Sequence, residues 1–191
     1  MSSSAALAVL VPLAGLVFLA IGGIFLYNLL VLSRNRTREA WSGVEVQLKR
    51  RSSLIPNLVE TVRGYATHEH AVFSEVAQAR GAMAQAAGPA AVAAADQGLS
   101  AALGRLMAVA ENYPQLQAAG NFTQLQSELS DTEEKIAYAR QFYNRNALDY
   151  NTRIQTFPGN QFAAWFGFEA ADYYRAEEAA QADVKVQFTA V

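Results

Sequence analysis

The chain has no cysteine among its 191 residues, which rules out disulfides, thiol nucleophiles and thiolate metal sites, and cysteine usage says nothing of the redox compartment. Charge is scarce as well: Asp, Glu, Lys and Arg make up 17% of the residues, against about 25% in an average soluble domain. The net charge of −2 offers no general attraction to nucleic acid, and none is expected as a partner. There is no Gly-x-Ser-x-Gly, no Gly-x-Gly-x-x-Gly and no phosphate-cradling Gly-Lys loop. The only His pair, in His68-Glu69-His70, lies two residues apart and so does not share a helix face; helix-end hydrogen bonding fits it better than a metal. No catalytic residue, cofactor or metal is expected, and the chain reads as a non-enzyme.

The little charge there is falls unevenly. Residues 1–33 contain no Asp, Glu, Lys, Arg or His, and the run from Ala5 to Leu32 is almost wholly apolar. A helix of that length crosses a hydrocarbon core of about 30 Å with tilt to spare. A cleaved secretory signal fits poorly, because Met1 to Ser4 carry no cation and the apolar run is too long. Arg34, Arg36 and Arg38 follow at once, and cationic flanks prefer the cytoplasm. The expectation is a single-pass membrane protein, N-terminus outside, with 34–191 in the cytoplasm. The same three arginines reach anionic headgroups. Within the span Ala8, Gly15 and Gly22 recur every seven residues, a small-residue stripe that lets helices pack closely and points to a homo-oligomer.

Beyond the anchor the periodicity is helical. Trp41, Leu48, Ile55 and Val62 occupy one heptad position and Val44, Arg51, Leu58 and Tyr65 the other, with a bend expected at Pro56 and an end near His68. A second helix is expected from about Glu69 to Ala87, ended by Gly88-Pro89. The Ala-rich stretch that follows carries little information, and a third helix resumes from Leu99. Asn121 and Gln124 form a capping box for the longest helix, which keeps apolar or aromatic positions from Phe122 to Phe157. The expected fold is all-α: an N-terminal transmembrane helix (1–33) continuing into an up-and-down antiparallel four-helix bundle (34–157), then an aromatic-rich segment and tail (158–191).

In that last segment Trp165, Phe166 and Phe168 stand out as contacts for the membrane or for a neighbouring subunit; a hydrophobic cap on the bundle is the plainer reading. Val184 to Phe188 alternates with period two, as a short strand would. Arg51, Asn57, Arg140, Asn144, Asp149 and Asn151 are polar groups in or beside apolar seams and read as a structural network. Arg51 needs a carboxylate, with Glu60, Glu134 or Asp149 as candidates. Lys49-Arg50-Arg51 is otherwise a solvated face.

Several strings together resemble the LemA family of bacterial membrane proteins: Tyr27-Asn28-Leu29-Leu30-Val31, Glu39-Ala40-Trp41, and above all Arg51-Ser52-Ser53-Leu54-Ile55-Pro56-Asn57-Leu58-Val59. Glu111-Asn112-Tyr113-Pro114, Ala139-Arg140-Gln141-Phe142-Tyr143-Asn144, Asp149-Tyr150-Asn151 and Phe157-Pro158-Gly159-Asn160 add to it. The chain departs at Ala182-Asp183-Val184, where the family has a Pro before its final Val-x-Phe. The resemblance implies one N-terminal span, a cytoplasmic helical bundle and no established biochemical activity. Through one relative that takes part in forming magnetosome membranes, it also implies a membrane-shaping role. Two functions are therefore expected: a self-assembling membrane scaffold, or an adaptor that recruits an unidentified cytoplasmic protein such as a protease or envelope-stress component.

Overall fold

A computed structural model describes residues 3–175, among which there are six helices and no strand. They are α1 (Ser3–Arg63), α2 (His70–Gln85), α3 (Pro89–Glu111), α4 (Pro114–Gln117), α5 (Gly120–Gln155) and α6 (Gly159–Phe166). The all-α class is as the periodicity implies, and four long helices, α1, α2, α3 and α5, account for the stretch expected to form the bundle. The Ala-rich stretch is the first part of α3, α4 is a separate turn, and the aromatic segment begins as a helix of its own. Val184 to Phe188 lies outside the described residues.

Two heptad series organise the long helices. On α1 Leu30, Thr37, Val44, Arg51 and Leu58 recur every seven residues and all are buried, whereas Trp41 is half-buried and Tyr65 exposed. On α5 Phe122, Leu129, Ile136, Tyr143 and Tyr150 do the same. An unbroken seven-residue repeat of this kind keeps one face of a helix turned to its neighbours. α1 runs through Pro56 without a stop and ends at Arg63, earlier than His68. At the start of α5 the capping box is not made: the Asn121 Oδ1 accepts from the adjacent Phe122 N–H, and Gln124 donates to Glu128.

The chain divides into two compact units. The first comprises α1 as far as Glu45 together with Ala139–Ala171. Here α1 and α5 run antiparallel, as Thr37 meets Asn146 and Trp41 meets Tyr143. Leu30, Tyr150, Ile154, Ala163 and Phe168 form its core. α6 depends on two glycines. A Cβ at Gly159 would collide with the Arg153 carbonyl oxygen, and Gly167, at φ 66°, supplies the left-handed residue that ends the helix, where the Gly167 and Phe168 N–H groups both donate to the Ala163 carbonyl.

The second unit comprises Val46–Tyr138 and the chain from Asp172 on. Short connections fold α1, α2 and α3 back and forth: Arg63 lies over the Phe73 ring, and Arg80 donates to Ser52 nearer the start of this part of α1. Ile55, Leu58 and Val62 of α1, Phe73 and Val76 of α2, Leu99, Leu103 and Leu106 of α3, Leu116 of α4, and Phe122 and Leu129 of α5 share one core. Burying each such side chain contributes about 1.5–3 kcal/mol, so this core carries the unit's stability.

Candidate functional site

In the middle of the second unit's packing sits a guanidinium. Arg51 is 0% exposed and occupies a heptad position where Val44 and Leu58 are its neighbours above and below. Its Nη2 donates to Asp96 of α3, and its Nη1 to Glu133 of α5 at 2.7 Å and to Ser100 of α3 at 3.2 Å. The partners are thus Asp96 and Glu133, in place of the Glu60, Glu134 or Asp149 that the sequence offered. Tyr174 donates its hydroxyl to the second oxygen of Asp96, so that carboxylate is held from both sides. One cation set against two carboxylates ties α1, α3, α5 and the chain around Tyr174 to a single point.

The Arg51–Asp96 pair is enclosed, while the Glu133 side chain that completes the cluster is 42% exposed. Asp96 is 2% exposed, so no substrate reaches the Arg51–Asp96 pair. Its physical effect is to fix helix register, because sliding any one helix would strand a buried charge at a cost of several kcal/mol. Sequence reasoning missed both partners, and for Asp96 there was a signal to read. A lone carboxylate three, seven and ten residues before Leu99, Leu103 and Leu106 lies on α3's apolar face, and that position was the available signal.

The other residues of the expected network differ in burial. Asn57 and Asp149 are exposed, while Arg140 and Asn144 are half-buried on α5. Asn151 is buried and clamps backbone: its Nδ2 donates to the Ala171 carbonyl at 2.9 Å and its Oδ1 accepts from the Ala171 N–H at 2.8 Å. Tyr150 acts beside it, donating to the Glu169 carbonyl at 2.8 Å. Burial pushes the Tyr150 hydroxyl pKa upward, against the opposing pull of the Arg34 and Arg38 charges. His68 lies in the turn after α1 and His70 opens α2, both exposed. Among the described residues no group of three or more His, Cys, Asp or Glu could hold a metal.

The first unit presents a surface of another kind. Leu10, Val11, Leu13, Leu16, Phe18, Leu19, Ile21, Ile24 and Phe25 of α1 are all exposed. Only 6% of the most apolar stretch of this helix is buried, and among the described residues it is the one helix long and apolar enough to cross a membrane. Trp165 and Phe166 are exposed. Phe168 is not: it is buried against Tyr27 and lies 5.0 Å beneath the Arg34 guanidinium. Arg36 and Arg38 are exposed, and among the described residues none of the three collar arginines has an ion-pair partner. Gly15 and Gly22 face open space, and the Ala8 side chain lies outside the described residues.

Comparison with known proteins bears on this arrangement directly. Residues 40–188, which hold the whole α5 heptad series and the Arg51 cluster, match the model of the LemA family. The chain belongs to the LemA family. It is similar to "Magnetosome protein MamQ 2" of Paramagnetospirillum magneticum, 32% identical over 179 residues covering 80% of this chain and 66% of that protein. The "Magnetosome protein MamQ" of Magnetospirillum gryphiswaldense is 30% identical over the same shares. The "Protein LemA" of Metamycoplasma hominis is 25% identical over 158 residues, 82% of this chain and 72% of that protein. This LemA-family chain spans just under two thirds of the length of the magnetosome relatives it matches.

Proposed function

We propose that this LemA-family chain is a non-enzymatic, membrane-anchored helical scaffold that self-assembles at the bacterial cytoplasmic membrane and organises the bilayer there. The observation that carries this reading is the state of α1: a charge-free stretch whose large apolar side chains stand outside the packing, followed at once by Arg34, Arg36 and Arg38. Apolar surface of that extent is stable only in lipid or against other protein. The unpaired collar supports an orientation with residues 34–191 in the cytoplasm, where anionic headgroups meet the arginines. Open space at Gly15 and Gly22 leaves room for the span of a second copy to approach closely. Outside the span Val46, Tyr138, Phe142 and Leu148 are exposed as well, surface that contacts between copies would cover. The naming of two relatives as magnetosome proteins supports a membrane-associated role.

The test is to reconstitute the full-length protein into vesicles of phosphatidylethanolamine and phosphatidylglycerol, image them by electron cryomicroscopy, and weigh the detergent-purified protein by mass photometry. Regular assemblies on deformed vesicles, with a defined oligomer in detergent, are expected. Monomers scattered over unaltered vesicles would contradict the scaffold, and a stoichiometric partner recovered with such monomers would replace it with recruitment of a cytoplasmic protein.

A further inference from the structure

α6 and the charge-free part of α1 enclose a groove of about 350 Å³ lined by Ala20, Gly23, Ile24, Tyr27, Phe162 and Phe166. Every lining residue is apolar or aromatic. Gly23 lets α6 come close to α1 at this point, since a Cβ there would sit 3.3 Å from the Phe162 ring. Tyr27 packs edge-on to Phe166 at 4.9 Å and closes one end.

Depth identifies the occupant. The α1 wall lies seven to fourteen residues before Arg34, so at 1.5 Å per residue the groove begins about 10 Å and ends about 21 Å from the collar. With the collar at headgroup level, about 5–7 Å outside a hydrocarbon core whose half-thickness is about 15 Å, the groove runs through the acyl region of the leaflet next to the collar as far as about the midplane. α6 also turns Trp165 and Phe166 outward.

Chain that leaves a helix at such depth must satisfy its backbone without water. Here it does: the Ala163 carbonyl accepts from Gly167 and Phe168, Tyr150 covers the Glu169 carbonyl, and Asn151 takes both polar groups of Ala171. Collar-ward of the groove, the Arg34 guanidinium stacks on Phe168, and its buried Nε has no hydrogen-bond partner among the described residues.

We propose that α6 inserts into the collar-side leaflet and that the α1–α6 groove holds one acyl chain of an anionic phospholipid whose phosphate meets Arg34. This rests on the reading of α1 as a membrane anchor. A short aromatic helix inserted in one leaflet, with a lipid fixed beside it, spreads that leaflet and gives a scaffold its grip on bilayer shape.

The chain has two tryptophans, so Trp41→Phe leaves Trp165 as the sole indole reporter. That full-length variant is placed in phosphatidylethanolamine–phosphatidylglycerol vesicles with bromine at mid-acyl depth. Trp165 emission is expected to fall about twofold or more, with little quenching by aqueous iodide, as for a ring buried below the headgroups. Native mass spectrometry in detergent is expected to show retained phosphatidylglycerol, lost in Gly23→Leu, whose side chain fills the groove. Quenching by iodide alone, in protein that resists alkaline extraction, overturns the insertion and leaves the anchor standing. Release on alkaline extraction overturns the anchor itself. Undiminished phosphatidylglycerol on Gly23→Leu, with Trp165 still quenched by bromine, overturns the occupancy of the groove.

Discussion

In the second unit Ile55, Leu99 and Leu106 are at most 1% exposed, whereas in the first Leu16, Phe18 and Leu19 are between 64% and 76% exposed. The charges are arranged the other way round. Arg51 is sealed among carboxylates in the second unit, while Arg36 and Arg38 stand open in the first. Side chains of the same two classes meet opposite surroundings, the contrast that the proposed lipid placement of the charge-free part of α1 would produce. Water drives apolar groups of the second unit inward and lets a charge follow when opposite charges meet it, as Asp96 and Glu133 meet Arg51. The exposed face of the first unit is ordered as a lipid-facing surface is, with apolar groups outward and polar backbone satisfied within.

The sharpest way to break this contrast is at Arg51. Replacing it with Met strands Asp96, and the loss is expected to be about 3–5 kcal/mol. Denaturant unfolding of the full-length protein in detergent measures it. Arg51→Met combined with Asp96→Leu is expected to recover most of that loss, whereas additive losses would show that the two are not coupled. Next come matched truncations in the two units. Leu106→Ala in the second is expected to cost about 2–5 kcal/mol by leaving a cavity, and Leu19→Ala in the first to stay within about 0.5 kcal/mol in the same assay. Equal losses would erase the distinction.

A smaller effect is expected at Tyr174. Its replacement by Phe removes the hydroxyl bonded to Asp96 and is expected to cost about 1.5–3 kcal/mol, as for hydrogen bonds to charged groups. The smallest is a response to alkali in the first unit. The folded-state pKa of Tyr150 is raised by burial, so the neutral phenol's contribution is complete below about pH 10 and is lost as pH rises through the folded value. Trp41 fluorescence, reporting on its contact with Tyr143, is expected to show an alkaline transition that Tyr150→Phe flattens.

How far these features could be read beforehand depends on what each leaves in a sequence. The anchor and the long helices leave strong marks, because a charge-free run and a seven-residue repeat are one-dimensional patterns. The need of Arg51 for a carboxylate was legible for the same reason, since a charge interrupts an otherwise apolar series. Its partner was not, because Asp96 sits in an Ala-rich stretch whose small side chains give weak contrast between faces, and the pairing joins residues 45 apart. α6 was hidden differently. Its aromatic content was plain, but its limits are set by Gly159 against the Arg153 carbonyl and by the left-handed Gly167, constraints that exist only once α5 and α6 are side by side. Phe168 was misplaced among the membrane-facing rings, because a run of aromatics does not say which ring turns inward.

The central claim is that the leading part of α1 lies in lipid. With no native cysteine, single cysteines placed at Leu19→Cys and Ser42→Cys in the full-length protein can be probed with a maleimide that does not enter membranes. Both positions are exposed on the protein itself, so only a bilayer can separate them. In opened membranes, with both faces accessible, Ser42→Cys is expected to label fully and Leu19→Cys to remain unlabelled until the protein is denatured. Labelling of Leu19→Cys as fast as Ser42→Cys in intact bilayers would contradict the account.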